Sequence, residues 1–191
     1  MAVTKRGVAE KALVVASGFA KANIHEDAGA NRNEQIDKME ALFGLQGEPY
    51  CAMFVAYCYA KSLYFLKAVD TSPQQLRANL EELKKSYFLP SPSCGVMIND
   101  ALRRGNYVLV EKVSDMQKAQ KGDILFWDFA KAGKPPARHV GIFDRVEGSQ
   151  SVTVEGNTSS GNAGSQNDGG GIYLRHRAIN PKLILGFIHI G

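Results

Sequence analysis

The sequence predicts an α+β domain in which N-terminal helices pack on a C-terminal antiparallel β-sheet. Three observations predict it. Apolar residues recur at helical spacing up to about position 104, whereas from Asn106 onward short β-branched and aromatic runs alternate with turns rich in Gly, Asn and Pro. The stretch from Ala52 to Tyr59 is apolar on every side, so it must be a central helix laid across the sheet. The 191 residues fit one domain spanning 1–191, with enough chain to bury a core without staples. No internal repeat or interdomain linker interrupts it.

The first helix is expected over 5–20, with Val8, Ala12, Val15 and Phe19 on one face. Lys5 and Arg6 ahead of an apolar run resemble a signal peptide, but Glu10 and Lys11 break that run and leave it too short. A polar segment over 23–33 leads to a short helix over 34–43, which Gly44 stops. Gly47 and Pro49 then form a turn into the central helix, expected from Cys51 to about Lys67. Ser72-Pro73-Gln74-Gln75 reads as a capping box opening a helix over 73–86, with Leu76, Leu80 and Leu83 inward. The segment 90–95 reads as a loop, followed by a short helix that Gly105 ends. Strands are expected over 107–113, 124–127, 138–143, 151–155, 172–179 and 183–190, with a surface loop at 131–137 and a flexible, apolar-poor loop at 156–171.

Hydrophobic and charged residues, at 45% and 22%, are those of a soluble globular chain. The net charge of +4 is too mild, and its Lys and Arg too scattered, to indicate nucleic acid as a partner. No stretch approaches the length of a membrane span, so no membrane partner is expected. Neither a Cys-x-x-Cys nor a His-x-x-x-His pair occurs, and no metal or other cofactor is expected. Of the three cysteines, Cys51 and Cys58 lie two helical turns apart, roughly 10.5 Å, beyond disulfide reach. Cys94 falls in the separate Pro/Ser loop. Free thiols are therefore expected.

Cys51 carries the candidate chemistry. A thiol in the first turn of a helix meets the positive end of the macrodipole, which favours the thiolate and lowers the pKa from about 8.5 toward neutrality. Such a thiol needs a base. Among the four histidines, His139 opens a strand directly after a loop, and Gly141, two residues on, leaves room on the same strand face. His25, His176 and His189 read as solvated or structural residues. A hairpin centred at 147–150 brings residue 139 opposite roughly 155–158, so Glu155 and Asn157 are candidate orienters of the imidazole.

The segments Glu48-Pro49-Tyr50-Cys51-Ala52-Met53-Phe54-Val55, Lys121-Gly122-Asp123-Ile124-Leu125-Phe126-Trp127, His139-Val140-Gly141-Ile142 and Val154-Glu155-Gly156-Asn157-Thr158-Ser159 resemble, in order, the motifs of the CHAP domain. This is a papain-like family of cysteine, histidine-dependent amidohydrolases and peptidases, the bacterial and phage peptidoglycan hydrolases. The resemblance implies a papain-like fold with Cys51 as nucleophile, His139 as general base, Glu155 as orienting acid and Asn157 as a fourth polar residue supporting the His or the oxyanion. Asp123, in the recurring Gly-Asp of the family, reads as turn chemistry. Tyr50 stands where many members carry Trp or Gln, and the stretch over about 60–120 is longer than a minimal member needs.

The activity so implied is that of an N-acetylmuramoyl-L-alanine amidase or stem-peptide endopeptidase working through a thioester acyl-enzyme. The Cys51 backbone N–H is the expected oxyanion donor, with Tyr50 and Gln46 as candidate substrate contacts. Peptidoglycan is the expected partner, with an immunity or delivery protein in addition if the chain is a secreted effector, and a monomer is expected. Synthesis in the cytoplasm would be followed by action at the wall after export or lysis. The alternatives are a catalytically idle relative that binds wall fragments or a partner protein, and a transferase or deamidase on the same chemistry.

Overall fold

A computed structural model of the chain describes residues 3–27, 30–67, 72–130, 136–161, 165–166 and 168–191. Helices α1 (Lys5–Lys21), α2 (Glu34–Glu40), α3 (Cys51–Lys67), α4 (Pro73–Ser86) and α5 (Cys94–Arg104) precede the sheet. Strands β1 (Tyr107–Leu109), β2 (Ile124–Asp128), β3 (Arg138–Glu147), β4 (Gln150–Thr158), β5 (Gly171–Ala178) and β6 (Ile184–Ile188) follow, with a 3₁₀ helix (Val113–Lys118) after β1. The six strands form one sheet in the order β1-β6-β2-β3-β4-β5, every neighbouring pair antiparallel. The chain is thus α+β.

Side-chain oxygens cap the helices as their sequences suggest. Thr4 accepts from the Gly7 N–H, Asn33 from Gln35 and Ile36, Ser72 from Gln75, and Ser93 from Val96. Each such cap stabilises its helix by about 1 kcal/mol. Gly105 closes α5 in the left-handed region that glycine adopts without strain (φ 72°).

The sheet's period-2 alternation builds two cores. Ile124, Phe126, Val140, Ile142, Val154, Ile172 and Ile188 face the helices and pack with α3, which is buried without interruption from Cys51 to Ala60. Leu125, Trp127, Phe143 and Phe187 face the other way and form a smaller core with Val110, Met116 and Ile184. The helices are thereby segregated to one face of the sheet, and α3 is held over β3 and β4.

Asp123 binds the two ends of the chain together. Its buried carboxylate accepts from Arg6 Nη1 at 2.9 Å, the Gln120 N–H at 2.9 Å and the Ile190 N–H at 3.1 Å, and pairs with His189 Nδ1 at 3.0 Å. The turn reading of Gly122-Asp123 therefore holds, and His189 acquires a structural partner. Gly122 is needed here twice, for its positive φ of 87° and because a Cβ would run into Ala9 of α1.

Several expectations change. Strand β1 spans only Tyr107–Leu109, because Asp115 accepts from the Glu111 and Lys112 N–H groups and turns the chain into the 3₁₀ helix. The helix at 34 ends at Glu40, where buried Glu40 accepts from the Gly47 and Glu48 N–H groups and folds the following segment back. Within the long 60–120 stretch, Leu76, Leu80, Leu83, Met97, Ile98 and Ala101 belong to the main core. Residues 156–158, expected in the flexible loop, complete β4. Of the two expected loops, 131–135 and 162–164 with 167 lie outside the described residues.

Candidate active site

Cys51 is the first residue of α3, and His139 is the second residue of β3, the strand that α3 crosses. His139 Nε2 lies 2.8 Å from Glu155 Oε2 on β4, with both side chains fully buried. Gly141 makes this pairing possible. It lies beside Glu155 across the β3–β4 ladder, and a Cβ on it would stand 2.6 Å from Glu155 Cγ, across the path the carboxylate takes to the imidazole. The room that Gly141 was expected to leave on the His139 face is filled by Glu155.

A buried carboxylate is costly unless its lone pairs are occupied. Here they are. Arg177 on β5 donates through Nε to Glu155 Oε1 at 2.8 Å and through Nη2 to Oε2 at 2.6 Å, and the Thr153 hydroxyl donates to Oε1 at 2.6 Å. The Arg177 guanidinium lies over the rings of Phe129 and Trp127, 4.8 and 5.5 Å from their centroids. Burial opposes charge on Glu155, yet Arg177 and His139 outweigh it and hold its pKa down at about 2. Burial likewise opposes charge on His139, and the neighbouring Cys51 and Glu155 overcome it, raising the imidazole to about 9. With Nε2 engaged by Glu155, Nδ1 is the ring nitrogen left free for Cys51, the neighbour that does most to raise the imidazole.

The thiol end contains a residue that sequence reasoning placed elsewhere. Cys94 Sγ lies 3.9 Å from Cys51 Sγ. Rather than sitting in a loop, Cys94 is the first residue of α5, whose Ser93 cap brings that helix start to the start of α3. The two thiols are shifted in opposite directions. Cys51 is held well below the usual thiol range by the Cys94 thiol, by His139 and by the Ala52 N–H, against the cost of burial. Cys94 is pushed well above that range by the Cys51 charge and by burial. These shifts favour the thiolate on Cys51, the protonated imidazole on His139 and the neutral thiol on Cys94.

A cleft of about 480 Å³ opens over the two sulfurs. Pro49 and Cys51 line one part of it, Cys94 and Gly95 another, and Arg138 and Asp168 place opposite charges at its edges. Both charged residues are exposed.

The remaining candidates fall differently. Asn157 is buried near the site, where the register shifts after Glu155 and its own backbone is left-handed (φ 56°). Its Nδ2 donates to Asp168 Oδ1 at 3.5 Å, so its hydrogen bond reaches the cleft wall and not the imidazole. Tyr50 is fully buried beneath the cleft, beside Glu26 and the Asn157 backbone, and does not line it. Gln46 is on the surface, where its amide oxygen accepts from Arg32. Neither Tyr50 nor Gln46 is therefore placed to touch a substrate at Cys51. His25 pairs with the Tyr173 hydroxyl at 2.8 Å, and His176 is exposed near Glu147.

Arg177, Thr153 and Cys94 are the residues of the site that sequence reasoning missed. A signal existed for two of them. Arg175 and Arg177 alternate on a strand, and an arginine facing into a sheet requires a buried acid partner. Ser93 ahead of Cys94 and Gly95 is an N-cap pattern that sets a second thiol at a helix start. Among the described residues, no group of three or more His, Cys, Asp and Glu side chains could hold a metal ion, and no helix is long and apolar enough to cross a membrane. No family model matches the chain, and no curated protein or solved structure matches it.

Proposed function

We propose that the chain is a papain-like cysteine hydrolase of the CHAP type that cleaves an amide bond in bacterial cell-wall peptides. The observation that carries the reading is the buried line Arg177–Glu155–His139 ending at a thiol on a helix N-terminus. A structural thiol needs neither an imidazolium nor a carboxylate behind it. A nucleophilic thiol needs both, because the carboxylate fixes the tautomer and supports the charge on the ring that must hold and return a proton.

The chemistry follows from the resting charges. The Cys51 thiolate attacks the carbonyl carbon of the scissile amide, and the carbonyl oxygen becomes an oxyanion facing the first turn of α3. The backbone N–H of Cys51 and the helix dipole stabilise that charge. His139 delivers its Nδ1 proton to the departing amine, which leaves Cys51 as a thioester. The same nitrogen then takes a proton from water as the water attacks the thioester, releasing the carboxylic acid and restoring the ion pair. Throughout, Arg177 keeps Glu155 ionised.

The cleft fits an extended peptide better than an uncharged ligand. Arg138 offers a guanidinium for a carboxylate, and Asp168 a carboxylate for a free amine; the branched stems of the cell wall carry both groups. Two bonds suit the reading, the N-acetylmuramoyl-L-alanine amide and a peptide link within the stem.

Incubation of purified sacculi with the protein, followed by mass spectrometry of the soluble products, tests it. One new amine and one new carboxylic acid at a single amide position are expected, with the glycan chain intact. Release of fragments by glycosidic cleavage, or no release at all, would contradict it. Amine-capped or deamidated products would instead assign the same thiol to a transferase or a deamidase.

A further inference from the structure

We propose that Cys51 and Cys94 form a reversible disulfide, which makes the pair a redox-modification site on the floor of the cleft. Three observations support it. The sulfurs are 3.9 Å apart, about 2 Å short of a bond. Both are the first residues of their helices, α3 and α5, so each short side chain sits at a helix start. Both line the same cleft, through which a small oxidant reaches them, whereas Cys58 lies seven residues further along α3 and is fully buried.

The charge distribution gives the reaction a direction. Cys51, as the thiolate, is the sulfur that attacks; Cys94, as the neutral thiol, is the one that resolves. With a low-molecular-weight disulfide as oxidant, Cys51 Sγ bonds to one of its sulfurs and expels the other as a thiolate. The His139 proton goes to that leaving thiolate. Cys94 then gives up its proton and attacks Cys51 Sγ, expelling the second small thiolate, which takes that proton. Two protein thiols and one small disulfide become one protein disulfide and two small thiols.

Peroxide leads to the same bond: the Cys51 thiolate attacks one oxygen and forms a sulfenic acid, the expelled hydroxide takes the His139 proton as a first water, and the Cys94 thiol then closes on Cys51 Sγ with release of a second. A resolving thiol next to the nucleophile also diverts that sulfenic acid from further oxidation, which would be irreversible. The bond itself follows from the sulfur geometry alone; its effect on turnover rests on the hydrolase reading, since an oxidised Cys51 has no thiolate with which to attack.

The test treats the full-length protein with oxidised glutathione, alkylates it under denaturing conditions, and maps the peptides by mass. A Cys51–Cys94 crosslink that retains no glutathione is expected, with Cys58 alkylated and both thiols recovered by dithiothreitol. The thermal midpoint of the oxidised form should rise, because the crosslink closes a loop in the unfolded chain. In Cys94→Ser, glutathione should remain on Cys51. A wild-type protein that keeps glutathione on Cys51 while Cys94 stays fully alkylatable would overturn the proposal, and this result does not depend on how the variant folds. If the crosslink forms but neither redox state turns over cell-wall peptide, the hydrolase reading falls and the redox site stands.

Discussion

Cys51→Ala is expected to abolish amide cleavage of cell-wall peptide, with a loss on the order of 10⁴-fold or more. The size of the effect follows from the role. Without the sulfur no acyl-enzyme forms, and water must attack the amide directly in a site built to protonate a leaving group. The residual rate would come only from the donors at the start of α3 and from substrate positioning. The fold should tolerate the change, because Cys51 is a small residue at a helix end and Ala lacks only one heavy atom. Turbidity loss of purified peptidoglycan, read alongside the thermal midpoint, separates loss of chemistry from loss of structure. Equal rates for wild type and Cys51→Ala in equally folded proteins would remove the thiol mechanism.

Arg177→Met should produce the largest loss of stability among single changes at the site, about 3 kcal/mol. Methionine fills much of the same volume but leaves the buried Glu155 carboxylate with only His139 and Thr153. The pH dependence identifies the cause. A carboxylate depressed from its ordinary value to about 2 contributes stability that is present above the ordinary value and lost as pH falls toward 2. Without Arg177 the Glu155 pKa rises, so acid unfolding of the variant should begin at a higher pH than in wild type.

Arg177→Lys should rescue only in part, since an ammonium cannot make both contacts to Glu155 or lie flat over Phe129. Urea unfolding across acidic pH measures both effects. An unchanged acid limb in Arg177→Met would mean that Glu155 is held by other groups.

Much of this arrangement is legible in the sequence, for physical reasons. The helix start at Cys51 is written in Gly47, Pro49 and the unbroken apolar run behind them, and α3 begins at that residue. The β3–β4 hairpin is written in two β-branched runs about one turn, which suffices to bring the His139 side chain within reach of Glu155. What escapes is set by long-range packing. Asn157 sits in a bulge, and a bulge has no local code beyond its tolerance of Asn at positive φ. Arg177 meets Glu155 only because β5 pairs with β4, a register that closes across a loop whose sequence carries little pattern. Cys94 meets Cys51 because α5 and α3 begin at one place, which the Ser93 cap does not encode. Tyr50 reads as a cleft wall from its position beside the nucleophile, yet the turn into α3 points its ring into the core.

The ion pair between Cys51 and His139 is the central claim, and the pH dependence of alkylation at Cys51 tests it most directly. Iodoacetamide labelling of the native protein, quantified by peptide mass, should find Cys51 reactive and nearly independent of pH between about 6 and 8, with Cys58 protected by burial. In His139→Ala the profile should move toward that of an ordinary thiol, near a pKa of about 8.5. A wild-type Cys51 that titrates like an ordinary thiol, with a profile indifferent to the loss of His139, would contradict it.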